Sequence, residues 1–192
     1  MFIDYLTLML VNMAAGLAIL ALFVLKYIDG DRKKLAPGLL VSGFVALVTG
    51  LHMIFTWPII SSYNIPFGEM SVLFGALLLG GAVALLAGWE LLSLGIYATF
   101  AGAAAIVLGI RLLSLKMTSE PLVSAGGFAL TGLVGILSLP IYYLRRHRVV
   151  RILAAIALFG AAAIWITFAF LGYWVHLDAF SKWVPATMPP AK

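Results

Sequence analysis

The chain reads as an all-α integral membrane protein, with six transmembrane helices arranged as a 3+3 inverted repeat. Three observations predict this. Of its 192 residues, 64% are hydrophobic and 10% are charged, whereas a soluble domain carries about a quarter charged residues. Six apolar runs are long enough to cross a bilayer core of about 30 Å, which takes roughly 20 helical residues. Two pairs of runs also match each other in order along the chain.

The spans fall near 4–28, 35–60, 69–90, 92–115, 121–144 and 150–177. In lipid the backbone must satisfy its own hydrogen bonds, so these runs are helices. No alternation of polarity supports a β-barrel. The first span, opening "MFIDYLTLML", lacks a basic leader and carries Asp4, so it is read as a helix that stays in place. The third and fourth spans nearly touch at Trp89 and Glu90, which form a tight turn. The whole chain, 1–192, forms a single bundle with halves at roughly 1–90 and 91–180 and a tail at 178–192.

Lysine and arginine set the orientation. Lys26, Arg32, Lys33 and Lys34 follow the first span, and Arg145, Arg146, Arg148 and Arg151 follow the fifth. With six spans these loops share one side, and Arg111, Lys116, Lys182 and Lys192 lie on the other. The basic side is cytoplasmic. Both termini are then extracytoplasmic and the expected location is the cell membrane. The net charge of +5 marks loops, not a nucleic-acid surface. The partners expected are the lipid bilayer and either further copies of the chain or a larger membrane complex.

The repeat pairs "LVSGFVALVTGLHMIFTWPI" (40–59) with "LVSAGGFALTGLVGILSLPI" (122–141), identical at nine of twenty positions. "LFGALLLGGAVALLAGW" (73–89) and "LFGAAAIWITFAFLGYW" (158–174) agree at seven of seventeen. Helices 2 and 5 run in opposite directions, so the duplication would be inverted, as in many secondary transporters. His52 aligns with Val134 and His176 with Leu91. Both histidines therefore break the repeat.

Candidate site residues gather at the outer side. His52 lies just inside the end of helix 2, where an imidazole is costly unless it faces a partner. It reads as a ligand, a proton carrier or an interfacial histidine bonded to main chain. Glu69 opens helix 3, where the helix dipole alone favours a carboxylate. The "SSYNIPFGE" loop between them could fold over the bundle as a lid. Asn12 is either interhelical glue or a cavity wall. His176 lies near the outer end of helix 6, and His147 sits in the basic loop. Arg111 either snorkels or pairs with Glu69. Met53 and Met70 read as gap fillers more readily than as copper ligands.

His52, Glu69 and His176 together offer the nitrogen and oxygen donors of a zinc, iron or copper site. A divalent metal or haem b is thus the cofactor to look for. No cysteine is present, which removes thiolate metal sites, iron–sulfur clusters and covalent haem. No phosphate loop, HExxH or GxSxG occurs, and no catalytic set is recognisable.

At "GLHMIFTWPIISSYNIPFGE" the chain resembles a small family of bacterial and archaeal polytopic membrane proteins of unknown function. The resemblance covers most of the chain, but its distinctive letters lie within this stretch. It implies that His52, Thr56, Trp57, Tyr63, Asn64, Gly68 and Glu69 are the family's marked positions, and it carries no activity. The expected function is an outer polar site, centred on His52 and Glu69, that binds or passes a small solute, ion or proton. Asn12, Thr56, Trp57, Tyr63 and Asn64 would contribute to it. The alternatives are a haem or metal redox protein within a respiratory complex, and a structural membrane subunit.

Overall fold

The computed structural model describes residues 4–184, and all regular structure among them is helical. Helix α1 (Tyr5–Leu22) runs on through a wider turn at Phe23–Tyr27. α2 (Ala36–Thr56) follows a short tight turn at Arg32–Leu35. Two more turns, Ser61–Tyr63 and Ile65–Glu69, lead into α3 (Met70–Ala87). Then come α4 (Leu92–Leu115), α5 (Pro121–Ile136), α6 (Ser138–Tyr143) and α7 (Arg148–Ala179). Among the described residues, five helical stretches are long and apolar enough to cross a membrane. The exception is the region expected as the fifth span, which is divided between α5 and α6.

The helix ends follow local chemistry. Asp4 caps α1, its carboxylate accepting from the Thr7 N–H at 3.4 Å. α2 stops at Trp57, which takes a left-handed conformation (φ 47°) directly before Pro58, a residue that cannot continue the hydrogen-bond ladder. Gly88 (φ 75°) closes α3 in the conformation that glycine adopts without a Cβ penalty. The break between α5 and α6 lies one turn before Pro140, which gives the Ile136 carbonyl no amide partner. Backbone bonds resume on either side: Leu137 N–H donates to Leu133 and Ile141 N–H to Leu137.

The helices form a closed ring in chain order. α2 packs most closely on α3, α4 on α5, and α7 on α1, with looser contacts between these pairs. Glycine makes two of the tight pairs possible. A Cβ on Gly75 would lie 2.8 Å from the Gly43 carbonyl oxygen, and one on Gly102 would lie 2.5 Å from that of Gly132. Backbones that touch in this way gain close van der Waals contact, which drives helix association in lipid. Leu17, Leu39, Leu78, Leu112 and Leu158 are buried inside the ring, while Phe44, Phe100, Ile110 and Phe170 stand exposed outside it. An apolar outer surface of this extent suits lipid.

The two halves use their matching glycines differently. Gly50 of α2 meets Val72 and Gly68 on the α3 side, whereas its counterpart Gly132 in α5 meets α4. α2 and α5 each lie between the other two long helices of their half, but α2 packs tightest on the helix that follows it and α5 on the helix that precedes it.

Candidate functional site

The polar residues at the end where α1 begins are bound mainly to one another. α1 lies between α2 and α7, so its first turn receives one histidine from each. The Tyr5 hydroxyl lies 2.5 Å from His52 Nδ1, and Asp4 Oδ2 lies 2.7 Å from His176 Nδ1. The Thr7 hydroxyl donates to the same carboxylate at 2.8 Å. Thr56 donates to the His52 carbonyl at 2.7 Å and also approaches the ring. His52 is exposed and lines neither of the two cavities described below.

The proposed ligand set is therefore not gathered. Among the described residues, no three histidine, aspartate or glutamate side chains come together to hold a metal. The physical reason is the position of α1, which gives each histidine its own partner. Glu69 is exposed at the end of the turn before α3. Arg111 does not reach it and instead contacts Ser114 at 3.4 Å. Met53 and Met70 are buried in the core as gap fillers.

The loop expected as a lid is pinned. Asn64 is fully buried, exchanges hydrogen bonds with the Ile59 main chain and donates to the Ser61 carbonyl at 3.3 Å. The Tyr63 hydroxyl donates to the carbonyl of Met117, just past α4. Trp57 is half exposed at the end of α2. A Cβ on Gly68 would press on Met53 at 3.3 Å, which explains its small size. Asn12 donates to the Ser42 carbonyl at 2.9 Å, joining α1 to α2. It also lines, with Ser71, a void of about 20 Å³.

Sequence reasoning missed an internal cavity. A cavity of about 260 Å³ lies inside the ring and touches every helix. It runs from Phe74, Phe128 and Trp165 at mid-depth to Ile28, Leu91 and Tyr142 near the basic loops. Its polar side chains are already engaged. Trp165 Nε1 donates to Thr131 Oγ1 at 3.2 Å, and Thr131 donates to the Gly127 carbonyl at 2.8 Å. Ser138 donates to the Gly95 carbonyl at 2.7 Å, and Tyr142 to Glu90 at 2.6 Å. What faces the interior is chiefly carbon. Small residues on α4, Gly95, Ala98, Ala101 and Ala105, line part of it.

Two arginines are anchored next to residues that line the basic end of this cavity. The Arg145 guanidinium carbon lies 4.6 Å from the centre of the Tyr142 ring. Arg151 pairs with Asp29 at 3.0 Å, beside the cavity residue Ile28. Arg151 Nε is buried without a hydrogen-bond partner. His147 is exposed just before α7.

A family model matches residues 1–179 of the chain, and its description is a protein of unknown function (DUF981). No curated protein matches the chain, and neither does any solved structure.

Proposed function

This chain belongs to the DUF981 family of proteins of unknown function, and we propose that it is a six-span membrane protein holding a small apolar or amphiphilic molecule inside its bundle. The observation that carries the reading is the cavity of about 260 Å³ with its carbon lining. Apolar cavities exclude water and accept hydrocarbon instead. The volume lies just under the range of about 300–1,000 Å³ typical of small-molecule sites. It suits one chain or a compact ring system, not a two-tailed lipid.

The sixth crossing is α5 and α6 taken together, 121–143, about 34 Å long at the helical rise. The excess of lysine and arginine at one end supports a cytoplasmic position for the basic loops and an outer position for both termini. The cavity then belongs to the cytoplasmic half. The bonded state of His52 and His176 supports helix-end ties in place of a solute or metal centre.

Gly81 offers the test. It lines the cavity, and a Cβ there would meet nothing within 4 Å. The protein is placed in phosphatidylcholine nanodiscs and titrated with ω-bromodecanol, whose bromine quenches tryptophan on contact. Saturable quenching is expected, lost in Trp165→Phe and in Gly81→Phe. Quenching unchanged in both variants would overturn the reading.

A further inference from the structure

We propose that the occupant is an uncharged, hydroxyl-bearing hydrocarbon whose O–H donates to Ser138 or Tyr142 at the basic end of the cavity. This rests on the cavity reading above and names the ligand class. Among the described residues, no lysine, arginine, histidine, aspartate or glutamate lines the cavity. A charged head placed there would lose its hydration with nothing to offset the loss. The body of the ligand lies against carbon, so its head must suit the few polar side chains that have capacity left.

Four lining side chains carry an N–H or O–H: Thr131, Trp165, Ser138 and Tyr142. Each has already given its hydrogen away. At mid-depth Trp165 donates to Thr131 and Thr131 to the Gly127 carbonyl, so Thr131 both gives and accepts. Toward the basic end, Ser138 donates to the Gly95 carbonyl at 2.7 Å and Tyr142 to Glu90 at 2.6 Å. Thr99 Oγ1 lies 3.5 Å from the Ser138 oxygen but gives its own hydrogen to the Gly95 carbonyl at 3.0 Å. A hydroxyl has one hydrogen and two lone pairs, so the oxygens of Ser138 and Tyr142 remain as acceptors. Donation to the Glu90 carboxylate polarises the Tyr142 hydroxyl and strengthens its oxygen as an acceptor. The two residues stand four apart on α6, one turn along the same face. A lining that offers acceptors, and no spare side-chain hydrogen among the described residues, selects a head that donates. A ketone, an ether or a carboxylate brings acceptors alone and leaves them unpaired.

The test uses the full chain in neutral phosphatidylcholine nanodiscs and compares ω-bromodecanol with its methyl ether by quenching of Trp165. Each compound is titrated as its mole fraction in the bilayer, so that the stronger partitioning of the ether cancels. The alcohol is expected to half-saturate about three- to tenfold below the ether, the range of one net hydrogen bond. Ser138→Ala and Tyr142→Phe each keep the shape of the wall and remove one acceptor. Each should reduce the advantage of the alcohol, and the two together should abolish it, while half-saturation by the ether stays where it was. Unchanged binding of the ether also shows that a variant is folded, so the single variants decide if the double one is not. Equal half-saturation by alcohol and ether in the native chain would overturn the donor head and keep the cavity. An advantage that survives undiminished in both single variants would overturn the assignment to Ser138 and Tyr142. Alcohol and ether weakened alike in those variants would make the two residues supports of the wall and overturn it as well. Quenching by neither compound would overturn both readings.

Discussion

Asp4 and His176 meet at 2.7 Å between α1 and α7, and the same two helices meet again at their other ends through Asp29 and Arg151 at 3.0 Å. Asp4 to Asp29 spans the same number of residues as Arg151 to His176. The two helices therefore run antiparallel in constant register, tied at both ends. The first and last helices close the ring through charge and shape, with Gly172 admitting Thr7 against its backbone. The contact at Asp4 also caps α1, so its removal tests two effects together. Asp4→Ala is expected to destabilise the folded protein by about 1–2 kcal/mol, combining a lost cap with a lost, part-exposed hydrogen bond to His176. Asp4→Asn keeps the capping oxygen and should cost less than half as much. Reversible unfolding in mixed sodium dodecyl sulfate micelles measures both, and equal losses would refute the capping contribution.

Two glycines separate packing from cavity. In Gly102→Ala the new Cβ would meet the Gly132 carbonyl at 2.5 Å, so α4 and α5 must move apart. A loss of about 2 kcal/mol or more is expected, in the range for overpacked cores. Gly81→Ala places its methyl group in open space and should stabilise α3 by up to about 1 kcal/mol through helix propensity. The same unfolding assay compares them. If the two changes have the same sign, the tight contact and the cavity are wrongly placed.

Asn64 holds the loop between α2 and α3. Its amide serves main-chain groups of Ile59 and Ser61 while itself fully buried. Asn64→Ala leaves those groups unpaired and is expected to cost about 2–3 kcal/mol. It should also expose the 57–64 segment to limited proteolysis, since the loop loses its internal brace. A loop that resists proteolysis as before would mean that Tyr63 and its bond to Met117 suffice.

His52→Gln tests the most prominent residue in the sequence. The side chain is exposed and bonded to Tyr5, away from either cavity. Its replacement should shift stability by less than about 1 kcal/mol, as expected where an exposed side chain gives up one hydrogen bond, and leave quenching of Trp165 by the brominated chain unchanged. A tenfold loss of that binding would return the functional centre to the outer end.

The sequence carried the helices well because apolar length is a local property. Leu92–Leu115 matches its expected span at both ends, and α7 differs from expectation by two residues at each end. Pro140 was visible in the sequence, but the way it divides α5 from α6 depends on a ladder bond missing at Ile136. The polar residues at 52–69 stood out in the sequence, and Asn12 was open between interhelical glue and a cavity wall; it joins α1 to α2 and also borders a small void. Their partners were not legible, because the first turn of α1 reaches both histidines only through tertiary packing. The cavity was hidden for a related reason. Small residues on α4 look alike whether a neighbouring backbone fills the space, as at Gly102, or nothing does, as at Gly81 on the facing α3. Volume belongs to the assembled ring.

Topology can be tested without disturbing the native chain, because it has no cysteine. Single cysteines at Ser62, Ser119, Lys33 and Arg146 sample four connections. If α5 and α6 together cross the bilayer, Ser119 and Arg146 lie on opposite sides, with Ser119 accompanying Ser62 and Arg146 accompanying Lys33. The kink at Pro140 does not prevent crossing, since proline is tolerated in spans where neighbouring helices supply the lost contacts. In intact cells, a membrane-impermeant maleimide is expected to label Ser62→Cys and Ser119→Cys, and to reach the other two only after permeabilisation. Labelling of Arg146→Cys in intact cells together with Ser119→Cys would overturn the six-crossing arrangement, since the Arg151–Asp29 tie holds Arg146 at the same end as Lys33.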